Sequence, residues 1–155
     1  MDDKRQFLRH ALATLAYRAA RALDGEPDDF AEFNGCGRTP AEILAHMGDL
    51  FDWALSIAQG SQRWNNSTPL PWPDEKRRFF TALTAFDDYL ARSEPMHAEP
   101  ERLFQGPVAD AISHVGQLAM MRRLAGYKIP GENFYLADVK AGQAGADQPK
   151  PVKTF

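Results

Sequence analysis

Apolar residues recur every three or four positions in four stretches of the chain, which is the spacing of amphipathic helices that bury one face. The eleven prolines separate these stretches, since they leave long proline-free windows at residues 1–26, 41–68, 74–94 and 108–129. No segment alternates apolar and polar residues between hairpin turns, so nothing favours a β-sheet. The pattern predicts an all-α protein, an up-and-down four-helix bundle with long connecting loops and an irregular C-terminal tail.

Helix start and stop signals agree with this division. Thr39 and Glu42 have the spacing of a capping box, and Pro40 stands between them at the first helical position. The other boundaries carry residues that favour helix ends. They are Asp2 or Asp3 and Gly25 for the first helix, Gly60 for the end of the second, Trp72-Pro73 for the start of the third, and Gly106-Pro107 and Gly126 for the fourth.

Aromatic residues fall into two groups. Trp64 and Trp72 lie in the Pro-rich loop 60–73, and we predict that they rim a pocket or a dimer surface. The core is predicted to hold the aromatic residues of the third helix, Phe79, Phe80, Phe86 and Tyr89.

Length and composition indicate one globular domain. The chain has 155 residues, of which 44% are hydrophobic and 25% charged. We assign residues 1–140 to the bundle and residues 141–155 to a flexible C-terminal tail. The net charge of −3 gives no general attraction to nucleic acid or to an anionic membrane. No apolar run approaches the ~18 to 20 residues of a membrane span, and no signal peptide is recognised, so we expect a cytoplasmic protein with no nucleic-acid or membrane partner.

Cysteine chemistry contributes little, because Cys36 is the single cysteine and cannot form an internal disulfide or a thiolate zinc cluster. No predicted helix N-terminus or histidine activates it. The four histidines are therefore the main candidates for metal or proton chemistry. His10 on the first helix and His97 between two prolines lack comparable companions, and we interpret both as structural.

The other two histidines have companions. His46 lies beside Met47 and one turn before Leu50, so we expect it on the buried side of the second helix. Asp110 and His114 are offset by roughly 40° around the fourth helix, so they project from one line. Two imidazoles and one carboxylate are a recognised ligand set for a divalent transition metal with open positions. The alternative interpretation is that His46 is an ordinary buried histidine and that Asp110 and His114 form an exposed ion pair.

Several neighbours extend this constellation. Gln117 and Met121 continue the stripe of the fourth helix, while Glu42 and Asp49 lie one turn on either side of His46. Such residues can fix the imidazole tautomer or contact a substrate. We therefore name Gln117 and Asp49 as candidate cofactor-binding residues.

Glycines follow both proposed histidine ligands at the same distance. Gly48 and Gly116 each lie two residues after a histidine, a rotation of roughly 200°, so they are predicted to face away from the metal. Glycine inside a helix costs ~1 kcal/mol relative to alanine, which predicts close helix packing with backbone crowding at both points.

Three segments together resemble a known family. T-P-A-E-I-L-A-H-M at residues 39–47, D-A-I-S-H-V-G-Q-L at residues 110–118 and G-Y-K-I-P-G-E-N-F-Y at residues 126–135 resemble the DinB/YfiT-like superfamily of metal-dependent four-helix-bundle proteins. The resemblance extends from the first helix to about Ala137. In that family one histidine on the second helix and a His-x-x-x-His pair on the fourth bind a divalent metal. His46 and His114 match two of these positions, and Asp110 stands in place of the third.

The resemblance implies a function as well as a fold. It implies a divalent transition metal (zinc, nickel or manganese), a thiol transferase or related enzyme acting on a small-molecule thiol and an electrophilic substrate, and a homodimer. Asp110 is the departure from the pattern, since it either alters the metal preference or weakens the site. The alternative is a non-catalytic dimeric helical-bundle binding protein with a degenerate metal site, and the sequence does not decide between the two.

Overall fold

A computed structural model describes residues 2–35 and 37–155, so the interpretation of Cys36 lies outside the described residues. Within them the protein is all-helical, as predicted, and the only β-pairing is an isolated bridge between Glu132 and Thr154. The α-helices are α1 (Asp3–Ala22), α2 (Pro40–Ala58), α3 (Trp72–Ala91), α4 (Pro100–Leu103) and α5 (Ala109–Leu124); short 3₁₀ turns lie at Asp28–Glu32 and Phe134–Leu136. None of these helices combines the length and hydrophobicity needed to cross a membrane.

The continuous helical segment that contains α5 begins at Pro100, before the predicted start at Gly106-Pro107. A π-helical turn at Phe104–Val108 joins α4 directly to α5, so the helical path passes through Gly106-Pro107 instead of starting there. Pro107 has no N–H to donate, and the wider π turn accommodates a residue that an α-helix interior disfavours. The proline therefore marks a bulge within the helix.

Capping residues behave as predicted. Asp2 Oδ1 accepts a hydrogen bond from Arg5 N at 2.8 Å. Thr39 Oγ1 accepts from Glu42 N at 3.2 Å, and Glu42 Oε2 accepts from Thr39 N at 2.8 Å. Glu42 is thus used in the capping box, not beside His46.

Most aromatic predictions are confirmed, with one exception. Trp72 is wrong as a rim residue because it is only 3% exposed. Its Nε1 donates to Glu26 Oε1 at 2.7 Å, and its ring packs edge-on against Phe30. The four aromatic residues predicted for the core, Phe79, Phe80, Phe86 and Tyr89, are all buried.

The C-terminal segment is irregular and lies against the helices. Ala144, within the tail predicted for residues 141–155, is 2% exposed. Upstream of it, the buried Glu132 accepts hydrogen bonds from Tyr17 Oη and, at 3.3 Å, from Arg21 Nε. Arg21 also donates to the carbonyl oxygen of Pro149. Burial and the bond to Glu132 raise the pKa of Tyr17, so its hydroxyl stays a donor in this network.

Candidate metal centre

The predicted ligands meet between α2 and α5. His46 Nε2 lies 3.2 Å from Asp110 Oδ2, and His114 Nε2 lies 3.4 Å from Asp110 Oδ1. One ligand atom from each residue can be chosen so that all three lie within 4.8 Å of one another. The helical period brings Asp110 beside His114, and packing of α2 against α5 adds His46.

The spacing of these atoms fits a small divalent ion. Two ligands that lie 2.0–2.1 Å from a tetrahedral zinc ion are separated by about 3.3 to 3.4 Å. The separations of 3.2 and 3.4 Å between imidazole nitrogens and carboxylate oxygens are close to this value, and they involve the two different oxygens of Asp110. The two imidazole rings lie 4.9 Å apart at their centroids and are nearly perpendicular. The donor set therefore fits a transition metal in its chemistry, and its ligand atoms lie within 4.8 Å of one another.

Gln117 determines which nitrogen of His114 faces the centre. His114 Nδ1 lies 2.8 Å from Gln117 Oε1, and an amide oxygen can only accept, so Nδ1 carries the proton. His114 Nε2 then faces the carboxylate of Asp110 at 3.4 Å. A proton or a cation between these two atoms makes the contact favourable. Gln117 is thus a partner of the ligand His114.

Solvent exposure increases across the centre. The side chain of His114 is 10% exposed, that of His46 is 24% exposed and that of Asp110 is 46% exposed. The two imidazoles lie on the more buried side of the centre, and Asp110 lies on the side that is open to solvent. An open side is the arrangement in which a metal centre admits water or substrate.

Trp64 borders the centre, as predicted for loop 60–73. Its ring lies edge-on to His46, with 5.7 Å between the ring centroids, and it also packs against Trp53. Its Nε1 donates to Asn66 Oδ1 at 3.0 Å. The indole is 41% exposed, so it flanks the opening of the centre without closing it.

Asp49 has a different role from the predicted one. Its contacts are to Ser67 and Arg78: Oδ2 accepts from Ser67 N at 2.8 Å, and Oδ1 accepts from Ser67 Oγ at 2.6 Å and from Arg78 Nη2 at 2.5 Å. Its side chain is 3% exposed. Asp49 therefore fixes loop 60–73, which carries Trp64, to α2 and α3.

Arg78 completes this anchor and explains one of the two glycines. Its Nη1 donates to Ala45 O at 2.9 Å, and its Nη2 also contacts Ser67 and Asp52. A Cβ atom at Gly48 would collide with the Arg78 guanidinium. Gly48 is crowded, but the crowding group is a side chain from α3 and not the backbone that the sequence predicted. Sequence reasoning missed Arg78, because nothing in the sequence of α3 around it indicates that it contacts Asp49 and Gly48 on α2.

The remaining predictions concern Gly116, His10 and His97. The prediction of close packing is wrong for Gly116, since nothing in the described chain lies within 4 Å of a Cβ built there. His10 and His97 are exposed and lie outside the cluster.

A buried carboxylate lies next to the Arg78 anchor. Glu75 is 0% exposed, and its Oε1 lies 3.9 Å from Arg78 Nη1. Burial raises the pKa of Glu75, and the charge of Arg78 opposes this effect only in part. The support of the metal centre therefore includes an acid whose ionised form is disfavoured in the folded protein.

Comparison of the chain with models of known protein families, with curated proteins and with solved structures finds no match. Membership of the DinB/YfiT-like superfamily stays a prediction, and the geometry of the His-Asp-His cluster is the observation on which a function can be argued.

Proposed function

We propose that this protein binds a divalent transition metal through His46, Asp110 and His114 and acts as a metal-dependent enzyme. The observation that supports this proposal is the 3.4 Å contact between His114 Nε2 and Asp110 Oδ1, with His46 completing the cluster. Gln117 orients His114 so that a cation satisfies both atoms. Zinc, nickel and manganese all accept imidazole and carboxylate ligands.

The proposed chemistry follows from the resemblance to the DinB/YfiT-like superfamily. A divalent ion held there would lower the pKa of a bound thiol or water and would polarise an electrophilic substrate. The chain's own residues position the reactants: Asp110 lies at the open side, and Trp64 forms an apolar flank beside His46. We therefore propose transfer of a small-molecule thiol to an electrophile, in a cytoplasmic homodimer.

Metal analysis of protein purified without a histidine tag tests the site. After reconstitution with zinc, nickel or manganese we expect about one ion per chain. His46→Ala and His114→Ala should lose the ion, whereas the exposed control His97→Ala should keep it. Stoichiometry near zero with all three metals would overturn the proposal.

Variants of Asp110 separate an altered site from a degenerate one. Asp110→Ala should weaken metal binding, and Asp110→His, which restores the pattern of the resembled family, should keep it. If only Asp110→His binds metal, the wild-type site is degenerate. A dimer that binds no metal would then support the alternative, a non-catalytic binding protein. A screen of several thiols and electrophiles with the metal-loaded protein tests catalysis, and no thiol adduct with any pair would contradict the proposed reaction.

A further inference from the structure

A groove of about 810 Å³ lies on the face of α5 that points away from the metal centre. Ile112 and Gly116 line it, and each is two residues from His114, a rotation of roughly 200° around the helix. The opposite side of the groove is formed by α1 and by residues 128–134, with Phe155 at its edge. None of the three proposed metal ligands lines it.

The charge of the groove is opposite to that of the chain. Four cationic side chains line it against one acidic side chain, Glu132, whereas the whole chain has a net charge of −3. Arg21 is paired with Glu132. The other cations have no carboxylate partner within the described part of the chain: Arg18, Arg123 and Lys128. Three cations without a counter-ion at one groove favour an anionic ligand.

The floor of the groove is apolar and open. Ile112 is 38% exposed and Met120 is 63% exposed, although both belong to a helix that packs in the bundle. Between them, a Cβ at Gly116 would meet nothing within 4 Å among the described residues. A glycine inside a helix costs ~1 kcal/mol relative to alanine, and here no contact within the described chain offsets that cost. The absence of a side chain at position 116 keeps the floor of the groove clear.

The wall opposite α5 is held in place before any ligand binds. Glu132 accepts hydrogen bonds from Tyr17 and Arg21. Asn133 N donates to Lys153 O, and Phe155 N donates to Gly131 O, each at 3.0 Å. Arg18 lies over the ring of Phe134, 3.9 Å from its centroid. A preorganised wall lowers the entropic cost of binding.

We propose that this groove binds an amphipathic anion, a small molecule with one carboxylate or similar group and an apolar body. Arg123 and Lys128 contact the anionic group, and Ile112, Gly116 and Met120 contact the apolar body. The volume lies within the range of about 300 to 1,000 Å³ that is typical of small-molecule sites. A second copy of this chain fits less well, because a twofold axis would bring the same unpaired cations together.

Titration calorimetry with monomeric dodecanoate tests the proposal on the full chain. We expect saturable binding with a dissociation constant below about 100 μM. Dodecyltrimethylammonium has the same apolar body with the opposite charge, and acetate has the charge without the body, so neither should bind. Arg123→Gln/Lys128→Gln should weaken dodecanoate binding at least tenfold, roughly the effect of losing one charged contact. Gly116→Leu should also weaken it by filling the floor, while the exposed, charge-matched control Arg92→Gln/Arg102→Gln should change it less than about twofold.

Several results would overturn the proposal. They are no dodecanoate binding at about 1 mM, equal binding of dodecyltrimethylammonium, or an unchanged affinity in Arg123→Gln/Lys128→Gln. Binding to phosphatidylglycerol vesicles without binding to monomeric dodecanoate would assign the groove to a lipid surface instead. His114→Ala should abolish metal binding and leave dodecanoate binding intact, so the two proposals can fail separately.

Discussion

The two faces of α5 favour ligands of opposite charge. On one face His46 and His114 place imidazole nitrogens within 3.4 Å of the Asp110 carboxylate, a ligand set that favours a cation. On the other, Arg123 lies beside an apolar groove, which favours an anion. A helix turns by about 100° per residue, so side chains two positions apart serve different sites. The comparison shows that one helix can carry two candidate sites of opposite charge because its period separates them.

Each face also borders a segment fixed by a buried carboxylate. Asp49 holds loop 60–73 through Ser67 and Arg78 beside the metal centre. Glu132 holds the groove wall through Tyr17 and Arg21. The two anchors share no residue, so damage to one should spare the other site.

The largest effect is expected when the Asp49 anchor is removed. Asp49→Ala leaves the Ser67 amide without its acceptor and removes the buried carboxylate paired with Arg78, and breaking a buried ion pair of this kind costs about 3–5 kcal/mol. Urea denaturation should show this loss, and dodecanoate binding should persist under native conditions. Asp52→Ala is the matched control, since its exposed carboxylate makes one 3.2 Å contact to Arg78 and should cost less than about 1 kcal/mol. Equal losses of stability in Asp49→Ala and Asp52→Ala would contradict the role of Asp49 as the anchor of loop 60–73.

Gln117→Ala should affect the metal face alone. Without the amide oxygen, the Nδ1 proton of His114 loses its acceptor and the ring loses its fixed tautomer. Loss of such a partner costs about 10-fold to 100-fold in metal affinity. Competition with a metal chelator measures the change, and the exposed Ser113→Ala on the same helix is the control. Unchanged affinity in Gln117→Ala would contradict the role assigned to Gln117.

Glu75 makes the support of the metal face sensitive to pH. Its raised pKa means that ionisation destabilises the folded state, and this cost develops as pH rises from the ordinary carboxyl pKa through the raised one. Glu75→Gln should therefore gain stability relative to wild type as pH rises from 4 to 7. Denaturation at both pH values tests this, with the exposed Asp88→Asn on α3 as control. Parallel stability curves for wild type and Glu75→Gln would exclude the effect.

The smallest effects are expected at the two glycines, with opposite signs. Gly48→Ala pushes a methyl group into the Arg78 guanidinium, so we expect a loss of about 1 kcal/mol after the gain in helix propensity. Gly116→Ala adds a methyl group to open space and should gain up to about 1 kcal/mol. Thermal denaturation of the pair measures both. The same sign in both variants would mean that packing does not distinguish these positions.

Local features of the fold were predictable because their causes are local. The capping box of Thr39 and Glu42 depends on residues three positions apart, and the predicted bonds are present. Pro107 misled the prediction because a proline signals a helix start and a π turn equally well. The approach of Asp110 to His114 follows from the helical period alone, whereas Trp72 is buried because Glu26, far away in sequence, accepts its N–H.

The four helical windows, most of their ends, and a candidate His-Asp-His ligand set on two helices could all be predicted from the chain alone. This was possible because helix periodicity and capping act over a few residues. Three-dimensional packing was needed to establish that Asp49 anchors a loop and that Gly48 is crowded while Gly116 is open. It also places cations without a carboxylate partner among the described residues along the other face of α5. These properties depend on which distant side chain packs against each position, and no local pattern encodes that choice.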